Sequence, residues 1–87
     1  MVRAEFFVNG EHRVSLTPTE FRILSALASN PRTVIRRSGL IAAGWPEGAI
    51  VHDNTLDAYV ARLRRKLQEA QSPATIRTAR GVGYELR

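Results

Sequence analysis

Cysteine is absent from the 87 residues, which excludes disulfides and thiolate metal sites and fits a reducing compartment, with the cytoplasm as the expected location. Long apolar runs are missing as well. Nothing approaches the roughly 18 residues a membrane span needs, and the start, MVRAEFFVNG, has no apolar signal core, so this segment is expected to contact no membrane. Histidine occurs only as His12 and His52, far apart and without clustered carboxylates; both read as surface residues, and no metal is expected. No serine sits in a nucleophile elbow, and only four residues follow the Gly81-Val82-Gly83 stretch, too few for a phosphate-binding helix. Those glycines read as turn residues. A chain this short buries only about 60 to 65% of its unfolded surface, which leaves little for a deep catalytic pocket. Neither catalysis nor a cofactor is expected.

What remains is an ordinary apolar content of 44% and an excess of positive charge, +5. The composition fits one folded domain over residues 1–87. Residues 1–53 carry six cations against five anions, and residues 54–87 carry seven against three, so the excess lies in the second half. Twelve of the thirteen cations are arginine, whose planar fork suits phosphate and guanine. Nucleic acid is the first partner such a surface implies, ahead of an anionic membrane or an acidic protein.

AEFFVNGEHRVSL reads as an N-terminal hairpin within residues 1–16, turning at Asn9-Gly10. A core of three helices follows over residues 17–70. In LTPTEF, Thr17 can cap a helix with Pro18 at its first position and Glu20 completing a capping box, and Leu16 and Phe21 fit a hydrophobic staple. This helix runs to Ser29, with Phe21, Leu24, Leu27 and Ala28 as its inward residues, and Asn30-Pro31 stops it. RTVI is a short β-prone segment. Ser38 to Gly44 forms a second helix with Leu40 and Ile41 inward, ended by Trp45-Pro46. After the loop PEGAIVHD, Asn54 can cap a third helix reaching Ala70.

In that third helix Leu56, Val60, Leu63 and Leu67 define the buried stripe. Arg62 and Arg65 then lie opposite it with Thr55, Ala58 and Ala61, while Arg64 and Lys66 flank it. Residues 73–87 close the chain as two short strands around a glycine-containing turn, with Ile76, Tyr84 and Leu86 inward. The fold class is α+β: an N-terminal β-hairpin, three helices in a winged helix-turn-helix, and a C-terminal β-hairpin wing.

The strings LTPTEFRIL, NTLDAYVARLRRKL and IRTARGVGYEL, in this order and spacing, resemble the OmpR/PhoB family, the DNA-binding effector domains of bacterial two-component response regulators. The resemblance covers Val14 to Arg87. It implies that the third helix enters the major groove of double-stranded DNA, with Thr55, Asp57, Ala58 and Arg62 at base edges and the wing arginine, Arg80, in the adjacent minor groove. Trp45, Tyr59, Arg64 and Thr78 would meet the phosphate backbone, with Arg65 and Lys66 adding charge there. The loop over residues 46–53, including Pro46, Glu47, Gly48 and Asp53, would face RNA polymerase. Relatives bind direct-repeat half-sites head to tail, and the isolated domain is expected to be a monomer. The sequence departs from the family at Asn54 and Ala61, where relatives often carry a basic residue. Only the last hairpin of the family's four-stranded N-terminal sheet has room here, and the receiver domain that normally precedes this module is not among the 87 residues.

Several residues have a second reading. The carboxylate of Asp57 either reads a base or serves the positive end of its helix. Tyr59 either packs on the helix shoulder or holds a phosphate, and Trp45 closes the second helix while leaving its indole N–H available. The alternative for the whole chain is a winged helix that binds protein, for example polymerase, with its basic face solvated. Structured RNA is disfavoured by the narrow A-form major groove.

Overall fold

The structure, a computed structural model, describes residues 4–8 and 12–87. Its elements are β1 (Ala4–Val8), β2 (His12–Leu16), α1 (Pro18–Ser29), β3 (Ile35–Arg36), α2 (Arg37–Gly44), α3 (Asp53–Glu69), β4 (Ile76–Ala79) and β5 (Gly83–Leu86). β1 and β2 pair antiparallel, with Val8 opposite His12. Asn9 and Gly10, expected at the turn between them, lie outside the described residues.

α1 starts as its capping residues dictate. Thr17 Oγ1 accepts from the Glu20 N–H at 3.2 Å, and Glu20 Oε1 accepts from the Thr17 N–H at 2.9 Å. The buried stripe, however, is Glu20, Ile23, Leu24 and Leu27. Phe21, expected inward, is 41% exposed, and Ala28 is exposed too. The capping box turns Glu20 toward the core, and steps of three and four residues from Glu20 select Ile23, Leu24 and Leu27, leaving Phe21 at the edge. Leu16 enters the core, but its expected staple partner stays outside.

α2 begins at Arg37, one residue before the expected start, directly after β3. Arg22 of α1 donates Nε and Nη2 to the Gly44 carbonyl, both at 3.2 Å, so a side chain from a neighbouring helix satisfies one of the orphan acceptors at the end of α2.

The start of α3 corrects the sequence reading. His52 is the N-cap and forms no side-chain cap bond, so Asn54 is the second helical residue and Asp53, expected in the preceding loop, is the first. The buried stripe of Leu56, Val60, Leu63 and Leu67 is the expected one. The helix closes with the Gln71 N–H bonded to the Gln68 carbonyl and the Ser72 N–H to the Leu67 carbonyl, a Schellman pattern with Gln71 at φ 55°.

β4 and β5 form the expected hairpin, from Ile76 opposite Leu86 to Ala79 opposite Gly83. β3 pairs on the other side of β5, so the wing belongs to a three-stranded antiparallel sheet of order β3-β5-β4. Gly83 permits this close approach, because a Cβ there would stand 1.9 Å from the Ile35 carbonyl oxygen. Ile76 and Tyr84 of the sheet join Leu16, Leu40 and the α1 and α3 stripes in one core, with Ile41 and Leu86 packed against it.

Candidate nucleic-acid interface

The four cations at the centre of α3 divide into two pairs. Arg62 and Arg65 are exposed and form no hydrogen bond or ion pair with the described residues. The Arg62 guanidinium lies over the Tyr59 ring, 4.5 Å from its centroid. Tyr59 in turn meets Trp45 edge-on, with centroids 5.2 Å apart and an interplanar angle of 88°. Arg62 is thus exposed as expected, but it leans toward one shoulder of the helix.

Arg64 and Lys66 are occupied by the scaffold. Arg64 donates Nε and Nη2 to the Ile76 carbonyl at 3.0 and 2.9 Å, and Nη2 also donates to Thr78 Oγ1 at 2.9 Å. This fork ties α3 to β4. Lys66 Nζ lies 2.6 Å from Glu20 Oε1 and donates to the Ser15 carbonyl at 2.9 Å. Lys66, expected at the phosphate backbone, is therefore directed toward α1 and β2; the buried Glu20 carboxylate supplies the physical reason.

Asp57 is similarly engaged. Its Oδ1 accepts from the Tyr84 hydroxyl and pairs with Arg37 Nη2 at 2.9 Å. The Tyr84 hydrogen bond, joined by Arg37, holds the Asp57 carboxyl below the ordinary carboxylate range against the opposing effect of burial. Burial, followed by the bond to Asp57, pushes the Tyr84 hydroxyl up. Arg37 also donates Nη2 to the Asp53 carbonyl at 2.8 Å, and its Nε stands 3.6 Å from Asp53 Oδ1. Arg37 was not singled out from the sequence. Its partners lie 16 or more residues away, and no local pattern marks a side chain whose role depends on non-local contacts.

Thr55 and Tyr59 are half-buried, Ala58 is exposed, and together with Arg62 they lie on α3. On the wing, Arg80 is exposed in the turn between β4 and β5 and has no partner among the described residues; Gly81 follows it at φ 73°. Arg77 stands 3.8 Å from Glu85. In the loop before α3, Pro46, Glu47 and Gly48 are exposed, and Ile50 is 94% exposed. No described helix is long and apolar enough to cross a membrane.

Residues 10–86 match the family described as "Transcriptional regulatory protein, C terminal". The response regulator MprA of Mycobacterium avium is 45% identical over 78 residues, which cover 90% of this chain and 34% of that protein. The chain thus spans about a third of the length of the curated relatives it matches. Among solved structures, the DNA-binding domain of the response regulator AdeR, crystallised with an intercistronic region, superposes with a TM-score of 0.76 at 29% identity, covering 97% of this chain and 84% of that one. The DNA-binding domain of Bacillus subtilis CssR matches in fold with a TM-score of 0.80 at 24% identity, covering 95% and 90%. Three helices with an antiparallel wing sheet are the winged-helix arrangement of these domains, which are those of transcription regulators and not of enzymes.

Proposed function

The chain belongs to the OmpR/PhoB-type family of transcriptional regulatory C-terminal domains, and on that premise we propose that it binds double-stranded DNA sequence-specifically as the effector domain of a response regulator. The observation that carries this reading is the pair of outward cations on α3, Arg62 and Arg65, beside Arg80 on the wing, none of which has a hydrogen-bond or ion-pair partner among the described residues. Side chains that neighbouring residues do not neutralise are available to an anionic partner.

In this reading α3 lies in the major groove, with Arg62, Thr55 and Ala58 at base edges, and Arg80 enters the minor groove. Arg65, Tyr59 and the Trp45 indole N–H meet phosphates, and Arg64 with Thr78 holds the wing at the angle that lets both elements dock. Asp57 acts on that placement through Tyr84 and Arg37. Lys66 is excluded from the phosphate contacts by its bond to Glu20. The loop over residues 46–52 carries the exposed Ile50 and faces RNA polymerase. The isolated domain is a monomer that occupies direct-repeat half-sites, and the protein works in the cytoplasm under control of a receiver domain elsewhere in the full-length chain.

The test is selection of bound duplexes from a random pool, followed by titration of the winner across salt. If about five phosphates are neutralised, log K should fall against log salt with a slope of about −4 to −5. A directly repeated half-site supports the arrangement proposed, and a palindrome contradicts it. A slope near zero, with no preference for any duplex, defeats the reading and favours a protein-binding module.

A further inference from the structure

We infer that Tyr59 is a positioning residue for base recognition: its ring holds the Arg62 guanidinium in place, so the tyrosine acts on sequence discrimination through Arg62. The inference rests on the DNA-binding reading above and deepens it.

The cations of this surface are ordered in different ways. Arg64 and Arg37 are fixed by hydrogen bonds, which occupy donors. Arg62 is held differently. No hydrogen bond or ion pair with the described residues restrains it, yet it lies 4.5 Å from the Tyr59 ring centroid. A contact with the ring face leaves the N–H donors of the guanidinium available to the O6 and N7 acceptors of a guanine. The ring is itself held, because Tyr59 is half-buried and meets Trp45 edge-on at 5.2 Å, and Trp45 packs against the core. Trp45, Tyr59 and Arg62 therefore form a ladder from the core to the outer face of α3. An arginine side chain otherwise loses much rotamer freedom on docking, and a preordered one loses less.

The consequence is specific to discrimination. If Tyr59 served only as a phosphate donor, its hydroxyl would matter and its effect would be the same on every duplex. If it positions Arg62, the ring matters, and the effect falls on the preferred sequence. The experiment uses the 87-residue chain with Tyr59→Phe, Tyr59→Leu, Arg62→Ala and the Tyr59→Leu/Arg62→Ala double variant. Each is titrated against the duplex selected by the wild type and against a scrambled duplex of equal length. Side-chain NMR of the unbound chain reports the ring-current shift of the Arg62 methylenes.

Tyr59→Phe should keep both the ring-current shift and the ratio of preferred to scrambled affinity. Tyr59→Leu, which retains apolar bulk against Trp45, should abolish the shift and reduce the ratio by about two- to fivefold, the range corresponding to an exposed cation–π contact. In the Arg62→Ala background, Tyr59→Leu should change the ratio no further. Equal losses on both duplexes for Phe and Leu would overturn the inference, as would a Tyr59→Leu effect that persists undiminished without Arg62. If the wild type discriminates between no duplexes at all, the DNA-binding reading fails and takes this inference with it; the variant series cannot produce that outcome on its own.

Discussion

Lys66 Nζ and Glu20 Oε1 stand 2.6 Å apart, joining the basic face of α3 to the first turn of α1, and the carboxylate side chain is only 1% exposed. The same oxygen accepts the Thr17 N–H, so a single acceptor closes the capping box and anchors α3. Burial works against the charge on Glu20, but Lys66 and the Thr17 N–H outweigh it and hold its pKa below the usual glutamate value. Lys66→Met should therefore destabilise the domain by about 2 to 3 kcal/mol, somewhat less than for a fully buried pair because Lys66 keeps partial contact with water. A folded pKa below the unfolded one means that the contribution is present above about pH 4.3 and is lost as the pH falls through the folded value. Urea unfolding of wild type and variant between pH 3 and pH 7 checks this: the difference in stability should shrink on acidification.

The Asp57–Tyr84 bond predicts a second pH dependence with limbs on both sides. Asp57 is depressed, so its share of stability holds above about pH 4 and fades as the pH drops through its folded pKa. Tyr84 is raised, so its share is complete below about pH 10 and fades as the pH climbs through its folded pKa. Tyr84→Phe should cost about 1 kcal/mol near neutrality and move the Asp57 pKa back toward the ordinary value. Carboxyl-carbon NMR titration of Asp57 in the two proteins measures the second effect directly; an unchanged pKa would refute the bond.

Arg64 should resist conservative replacement. Two of its nitrogens share the Ile76 carbonyl and one also reaches Thr78, a geometry that a lysine ammonium cannot reproduce. Arg64→Lys is expected to lose about 1 to 2 kcal/mol, close to the loss from Arg64→Ala, because what disappears is the tie between α3 and the wing. Amide exchange should be accelerated mainly in β4. If lysine restored most of the stability, simple charge would be the explanation instead.

These residues also show which parts of the molecule can be read from sequence. The capping box at Thr17 and the Leu56, Val60, Leu63 and Leu67 stripe are legible because both depend on contacts within one helix. Periodicity also placed Arg64 and Lys66 on the shoulders of that stripe. It could not show what awaited them there, since Ile76 is 12 residues away and Glu20 is 46. Phe21 departs from its expected inward position for the same reason. A carboxylate is read as surface until its lysine partner is known, and once Glu20 turns inward the larger aromatic is displaced to the edge. The β-prone RTVI segment is legible, but its pairing with β5 is not, because so short a strand forms only where Gly83 lets Ile35 approach.

Arg80 provides the sharpest test of docking. It is exposed in a turn that Gly81 closes at φ 73° and the Val82 N–H closes by bonding to the Ala79 carbonyl, so no packing role competes with contact to a partner. Arg77, on β4 just before that turn, instead faces Glu85 at 3.8 Å and serves as a control of equal charge. A guanidinium entering a minor groove is attracted most where A·T-rich sequence narrows that groove and concentrates its negative potential. Arg80→Ala is therefore expected to weaken binding to an A·T-flanked site by about 1 to 2 kcal/mol and to affect a G·C-flanked version less. Arg80→Lys should recover only part, since an ammonium holds its hydration more tightly. Arg77→Ala should lose a smaller amount that is the same on both flanks. Titrating all four proteins against the two duplexes at one salt concentration separates the possibilities: equal losses for Arg80→Ala on both flanks would make Arg80 a phosphate contact, and no loss on either would mean that the wing stays clear of the duplex.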